Sequence, residues 1–440
     1  MNKTLRSMTA AALTVAGLLA VVSLPAAATA KPKVKAHTCY ELTATALKTA
    51  RVTTKACPRG FTPNKPSLQG TGIAGDTDLN VPGTASLAIN GSSFDAPEVG
   101  ATTSGSSAYS AGGKVSFSSY PAAGSGTGRT DITNGSVNIG FSDQPMTPTA
   151  GTLPSGATEA NYAQVPYILG GAVIGYNLGA GFDNVKLTAA EIAGIYNGTI
   201  TQWSDPTIVA TNGGASSGLG KALAGLGTNN EARNTIKVIY RGASSGTTYA
   251  FTDWLHQAGN ATQTASGNVM EGTGAAWGAT NVLAAANNAA LAQDIVNTLG
   301  SIGYVEYSYV LIPGNDAIQT ASLQDKNGQW LQPTLAEIAN AAAAAGTHIT
   351  PDSFSIVNEP GNNVWPFATY SWALVAKAQS SEATGEAVVK YLDWETHYAQ
   401  NRGIAQGEGY VPLPAAVQAY ARAQLQQVTY NGTVLLNQAS

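Results

Sequence analysis

The sequence predicts an α/β fold, and three observations lead to it. From about residue 84 onward, short apolar runs rich in β-branched and aromatic residues alternate with segments of helical period. Several of the apolar runs end in Gly/Ser/Thr turns placed just ahead of a helix start. The helical segments also carry recognisable start and stop signals. Alternation of this kind builds sheets covered by helices, with strands expected to be buried and largely parallel.

In chain order, "ASLAI", "KVSFSSY", "VNIGFS", "AVIGYNL", "TIKVIYR" and "IGYVEYSYV" read as strands. "TAAEIAGIYNG" reads as a helix opened by a capping box between Thr188 and Glu191, with a Leu187–Ile192 staple. "TLAEIANAAAAAG" repeats the device with Thr334 and Glu337, and Gly346 stops it. "GEAVVKYLDWETHYAQNRG" and "LPAAVQAYARAQLQQV" read as amphipathic helices, with His397 on an exposed face.

The first 30 residues have a different character. Lys3 and Arg6 precede an apolar run from about Ala10 to Leu24, and Ala28-Thr29-Ala30 follows as a cleavage signal. This is the pattern of a secretory signal peptide, too short for a membrane span. No Cys follows the run, so no lipid anchor is expected. Residues 31–82 form a small Cys-containing module and linker, and in an exported chain Cys39 and Cys57 are expected to form a disulfide.

Only 11% of the chain is charged, against a typical ~25%, so the surface must be coated with small polar residues. The formal net charge of −4 argues against nucleic acid as a partner. It leaves room for a small anion, because local dipoles rather than net charge make such a site.

Four stretches share one layout of strand, hydroxyl- and glycine-rich turn, and helix start: "SLAINGSSFDAP", "VSFSSYPAAGSGTGRTD", "VNIGFSDQPM" and "TIKVIYRGASSGTTYAF". Ligands of open α/β sheets bind outside the C-terminal ends of strands, where these turns would lie. Each turn offers N–H groups and hydroxyls to an oxyanion, with a helix dipole behind them. Taken singly, such turns are ordinary capping chemistry; their joint occurrence carries the binding hypothesis.

The last turn, Gly242-Ala243-Ser244-Ser245-Gly246, also fits the G-x-S-x-G elbow of a serine hydrolase. That elbow needs a histidine later in the chain. His256, His348 and His397 qualify by order, but nothing in the sequence singles one out. "GASSGLGKAL" fails as a phosphate-binding Walker loop, because its glycine spacing is wrong and Ala222 follows Lys221.

Together the turns resemble the phosphate-binding proteins of bacterial phosphate ABC importers. The resemblance rests on Gly91-Ser92-Ser93-Phe94-Asp95-Ala96-Pro97, Gly124-Ser125-Gly126, Asn138 to Pro145, and Arg241 to Phe251, and it covers about residues 86–425. It implies a two-lobed, hinge-linked type II periplasmic-binding-protein (Venus-flytrap) fold, with 83–172 plus 365–440 as lobe I and 173–364 as lobe II. The hinges would lie near 170–173 and at Trp365-Pro366. It implies a phosphate site with Ser93, Phe94 N–H, Ser125 and Asp143 from one lobe, and Arg241, Ser245, Gly246 N–H and Thr247 from the other. It further implies no enzyme activity, no cofactor and no metal. The chain would be an exported monomer, periplasmic, cell-surface or extracellular, that passes phosphate to an ABC permease in the cytoplasmic membrane.

The residue types suit that role. Arg241 can give two parallel bonds to an oxyanion. Asp143, acceptor-only when ionised, can take the proton of hydrogen phosphate, whereas sulfate has none to offer. The chain departs from the resemblance at Asp95, which adds negative charge near the site, and at Phe141, which replaces a small residue. Arg129 is expected to face solvent. Two other readings stand beside the importer: a free secreted scavenger, sensor or surface protein, and a related protonated oxyanion such as arsenate as ligand.

Overall fold

The computed structural model describes residues 37–42 and 47–52 and then 81–436, without 82, 105–107, 149–152, 217, 230, 260–276, 347–348 and 401–402. The signal segment and Cys57 lie outside the described residues, so the expected disulfide does too. Within the N-terminal module, β1 (His37–Leu42) pairs antiparallel with β2 (Leu47–Val52).

The remaining strands are short until one long one. In order come β3 (Ala85–Leu87), β4 (Ile89–Gly91), α1 (Ala96–Thr103), β5 (Val115–Phe117), α2 (Ser125–Thr133) and β6 (Ile139–Ser142). The sixteen-residue β7 (Tyr162–Asn177) follows, buried along its whole length. Its sequence, "YAQVPYILGGAVIGYN", lacks an alternating polar face because both faces are covered.

After β7 the chain forms α3 (Ala189–Tyr196), β8 (Lys237–Arg241), α4 (Gly246–Gln257), β9 (Val282–Ala285), α5 (Asn288–Asn297), β10 (Ser301–Glu306), α6 (Tyr307–Leu311) and β11 (Gln319–Thr320). Then come α7 (Leu335–Ala345), β12 (Ala368–Ala376), α8 (Glu382–Asp393) and α9 (Ala415–Leu425). The capping box of α3 is present in both halves. Thr334 caps α7 by accepting from the Glu337 N–H, and Gly346, at φ 81°, ends it.

One eight-stranded sheet runs in the order β4-β6-β12-β7-β10-β8-β9, with β11 also on β7. It is mixed, which corrects the expectation of largely parallel strands. β4 with β6, and β10-β8-β9, are parallel sets. Between them β7 pairs antiparallel with β12 and β10, and β12 antiparallel with β6. The reason is topological: β7 carries the chain from one hydrophobic core to the other and β12 brings it back, so the two run in opposite directions. β7 changes partner at its middle, Gly171 facing Ala368 of β12 and Ala172 facing Glu306 of β10. Leu87, Phe94, Ile139, Phe141 and Tyr391 belong to one core; Val173, Ile192, Tyr196, Leu291 and Trp365 belong to the other.

Two sequence readings change in detail. "IGYVEYSYV" is a strand only to Glu306, and the rest turns into α6. The segment after α8 is a π-helical turn, Trp394–Ala399, which sinks Glu395 out of solvent. His397 is half-buried rather than exposed, with Nδ1 3.3 Å from Asp393 Oδ1.

Candidate functional site

The two parallel sets point their C-terminal ends at each other. β4 leads into the turn of Ser92 to Asp95, and β6 leads into Asp143. From the other side β8 ends at Arg241, the turn after β9 leads into Asn288, and β10 ends at Glu306. All of these side chains are buried: Ser93, Asp143 and Arg241 are each 1% exposed.

The sequence-predicted residues converge. Arg241 Nη1 donates to Ser93 Oγ at 3.1 Å, and Nη2 donates to the Ala286 carbonyl at 3.3 Å. Its Nε has no hydrogen-bond partner among the described residues. Asp143 N–H donates to Ser125 Oγ at 3.2 Å, and Thr247 Oγ1 lies 3.5 Å from Asp143 Oδ2. Ser245 is the N-cap of α4, accepting from the Thr248 N–H at 3.2 Å, so its own hydroxyl proton stays available. Phe94 N–H is engaged locally, donating to Ser92 Oγ at 3.0 Å.

Glycines let the two sides meet. A Cβ on Gly246 would lie 2.5 Å from Asp143 Cβ and 2.6 Å from Ser125 Oγ. A Cβ on Gly126 would lie 2.1 Å from Ser244 Oγ. Ser244, the would-be nucleophile, therefore packs against the first turn of α2. Of the histidines with described side chains, His256 is exposed near the end of α4 and His397 pairs with Asp393.

Several site residues escape sequence reasoning. Asn288 donates its N–H to Ser93 Oγ at 3.0 Å and its Nδ2 to Thr247 Oγ1 at 3.2 Å. Its only advance signal is that "AANNAAL" repeats the strand–turn–helix layout without Gly or Ser. Tyr309 donates to the Ser93 carbonyl at 2.7 Å, and Tyr410 to the Phe94 carbonyl at 2.5 Å. Ser371 Oγ lies 2.9 Å from both Asp95 Oδ2 and Asp143 Oδ1. A β-bulge aims it there: Ser371 pairs with Ile168 but Trp372 with Pro166, leaving Tyr167 as the extra residue of β7. Pro166 has no N–H to give the ladder, which suits a bulge.

The site combines the buried cation Arg241 with three buried carboxyls. Burial raises Asp143 from 3.8 to about 6, against hydrogen bonds from Ser92 and Ser371 and the charge of Arg241. Burial and then the neighbouring Asp143 hold Asp95 well above the carboxylate range. Burial does the same to Glu306, which accepts from the Ser308 N–H at 2.9 Å and from the Ser308 hydroxyl. Arg241 is lowered by burial and supported mainly by Tyr304 and Asp143. Arg129 is 6% exposed, so the expectation that it faces solvent is corrected: α2 turns that face inward.

A sheet crossed twice between two cores, with polar turns of both meeting at the strand ends, defines the class of two-lobed binding proteins. A family profile described as a PBP superfamily domain matches residues 77–361. The phosphate-binding protein PstS of Pasteurella multocida is 31% identical over 318 residues, 71% of this chain and 82% of that protein. That of Xylella fastidiosa (strain 9a5c) is 28% identical over 358 residues, 79% of this chain and 88% of that one. Among solved structures, a phosphate-binding protein from Stenotrophomonas maltophilia superposes with a TM-score of 0.54 at 20% identity, covering 80% of this chain and 97% of its own. The chain belongs to the PstS phosphate-binding protein family of the PBP superfamily, a family of binding proteins rather than enzymes.

Proposed function

We propose that the protein captures inorganic phosphate between its two lobes and delivers it, outside the cytoplasm, to an ABC permease. The observation that carries this reading is the pairing, in one buried cluster, of the cation Arg241 with the acceptor Asp143 amid hydroxyl donors. Arg241, Ser93, Ser125, Ser245 and Thr247 would donate to the phosphate oxygens, joined by the N–H groups of Phe94 and Gly246. Phe94 N–H would exchange Ser92 Oγ for a ligand oxygen, and Arg241 would release Ser93. Asp143, at about 6, is largely ionised at neutral pH. It would accept the proton of hydrogen phosphate and face sulfate with two acceptors and no hydrogen between them.

The lobes would comprise 83–172 with 365–440, and 173–364. The partner switch of β7 at Gly171/Ala172 supports one boundary, and the start of β12 at Ala368 supports the other. Calorimetric titration of ligand-stripped protein tests the reading. Phosphate should bind with measurable heat at pH 7–8 and sulfate should not; absence of heat with phosphate, or equal affinity for both, overturns it.

A further inference from the structure

We propose that Asp95 carries the proton of an Asp95–Ser371–Asp143 chain: Asp95 donates to Ser371 Oγ, Ser371 donates to Asp143 Oδ1, and Asp143 thereby meets the ligand as an ionised acceptor. Its consequence for selectivity rests on the phosphate reading above; the protonation itself does not.

The geometry requires an ordering of protons. Ser371 Oγ is 2.9 Å from a carboxyl oxygen on each side, yet a hydroxyl has one proton. It can donate to one carboxylate only, so the other oxygen must bring its own hydrogen or stand acceptor against acceptor. Asp95, Asp143 and Ser371 are all at or below 1% exposure, where an unpaired contact between acceptors is costly.

Position decides which carboxyl holds the proton. Asp95 occupies the N-cap of α1 yet makes no side-chain bond to that helix. Its carboxyl is turned to β12, bonded to Ser371 Oγ, with the Tyr167 hydroxyl of β7 beside it. The groups facing it are Asp143 after β6, Glu306 at the end of β10, Tyr167 on β7, Tyr120 ahead of α2, Tyr391 on α8, and Tyr309 and Tyr410. The cation Arg241 is bonded to Ser93 and Ala286 and acts on Asp143 instead. Asp143 also has the hydroxyls of Thr247, 3.5 Å from its Oδ2, and of Ser92 beside its carboxyl, so the ionised form is better supported there. Burial and then the charge of Asp143 push Asp95 well above the usual carboxylate range, whereas at Asp143 the hydroxyls of Ser92 and Ser371 and the charge of Arg241 work against burial.

A neutral Asp95 removes the charge that would otherwise repel a bound anion, and it converts an unfavourable residue into a positioning one. Two measurements on the purified protein test this. Infrared spectroscopy of ligand-free protein at pH 7.5 should show the C=O stretch of a protonated carboxyl that disappears in Asp95→Asn. Titrations across pH 6–9 should show the phosphate-over-sulfate ratio falling about tenfold in Asp95→Ala, with Asp95→Asn recovering most of the loss because its amide still donates to Ser371. Ser371→Ala should reproduce the loss if Asp95→Ala does not fold. Absence of a protonated-carboxyl band that Asp95→Asn removes overturns the proposal. So does tighter phosphate binding in Asp95→Asn with a new pH dependence, the signature of a charged Asp95. A wild-type protein that shows the band but binds no phosphate supports the protonation and defeats only the phosphate reading.

Discussion

Arg241 donates through Nη1 to Ser93 Oγ over 3.1 Å, joining the end of β8 to the turn after β4 across 148 residues of sequence. Asn288 donates to the same oxygen, so Ser93 accepts twice and its own proton is directed elsewhere. A fork-shaped cation set against an oriented hydroxyl is matched to a tetrahedral oxyanion. Arg241→Lys keeps the charge but loses the fork, and should weaken phosphate binding roughly tenfold to a hundredfold in titration calorimetry.

Asp143 sets the second prediction. Asp143→Asn replaces an acceptor with a group that can also donate, so the preference for phosphate over sulfate should collapse while total anion binding persists. In the wild type the carboxylate is the acceptor only when ionised. With its value near 6, selectivity should be full well above pH 6 and fade as pH falls through it. Competition titrations at pH 5, 6 and 8 check the direction.

Closure is tested at Gly126. Within the first turn of α2, alanine should favour the helix by up to about 1 kcal/mol. The added methyl would lie 2.1 Å from Ser244 Oγ and 2.4 Å from its Cβ. Gly126→Ala overpacks this contact, at a cost of about 1–3 kcal/mol, and should weaken phosphate binding about tenfold or more. Adding Ser244→Gly, which deletes both clashing atoms, should restore affinity in the same assay.

Away from the site, Glu98 and Glu395 are fully buried and repel each other. Burial lifts Glu395 from 4.5 to about 7. The folded protein thus holds this proton more tightly than the unfolded chain. The stabilisation is complete below pH 4.5 and is lost as pH rises towards 7, on the order of 1 kcal/mol per pH unit. Glu395→Gln should raise the melting temperature at pH 8 and have little effect at pH 4.

The turns are legible in the sequence because positive φ, close backbone approach and helix capping demand Gly, Ser and Thr at fixed places. Those demands make the four turns visible; that Ser93, Ser125, Ser245 and Gly246 face a ligand is what the family resemblance implies. Ser371 is not legible, since a serine inside "ATYSWALVA" looks like any strand residue. It reaches Asp95 and Asp143 only because β12 lies between β6 and β7 and the ladder bulges at Tyr167. Glu306 hides in the same way, at the last residue of an apolar strand that turns at once into a helix. Arg129 and His397 mislead because a charged side chain in an amphipathic pattern says nothing about packing against its outer face. The antiparallel centre of the sheet is likewise a property of long-range return, which local alternation does not encode.

The most direct test is equilibrium dialysis of ligand-stripped protein against radiolabelled phosphate at pH 8, with sulfate added in large excess. Retention of one phosphate per chain, unaffected by sulfate in the wild type but displaced in Asp143→Asn, is the expected result. Failure of the wild type to retain phosphate, or its displacement by sulfate, would contradict a cleft built to recognise a protonated oxyanion.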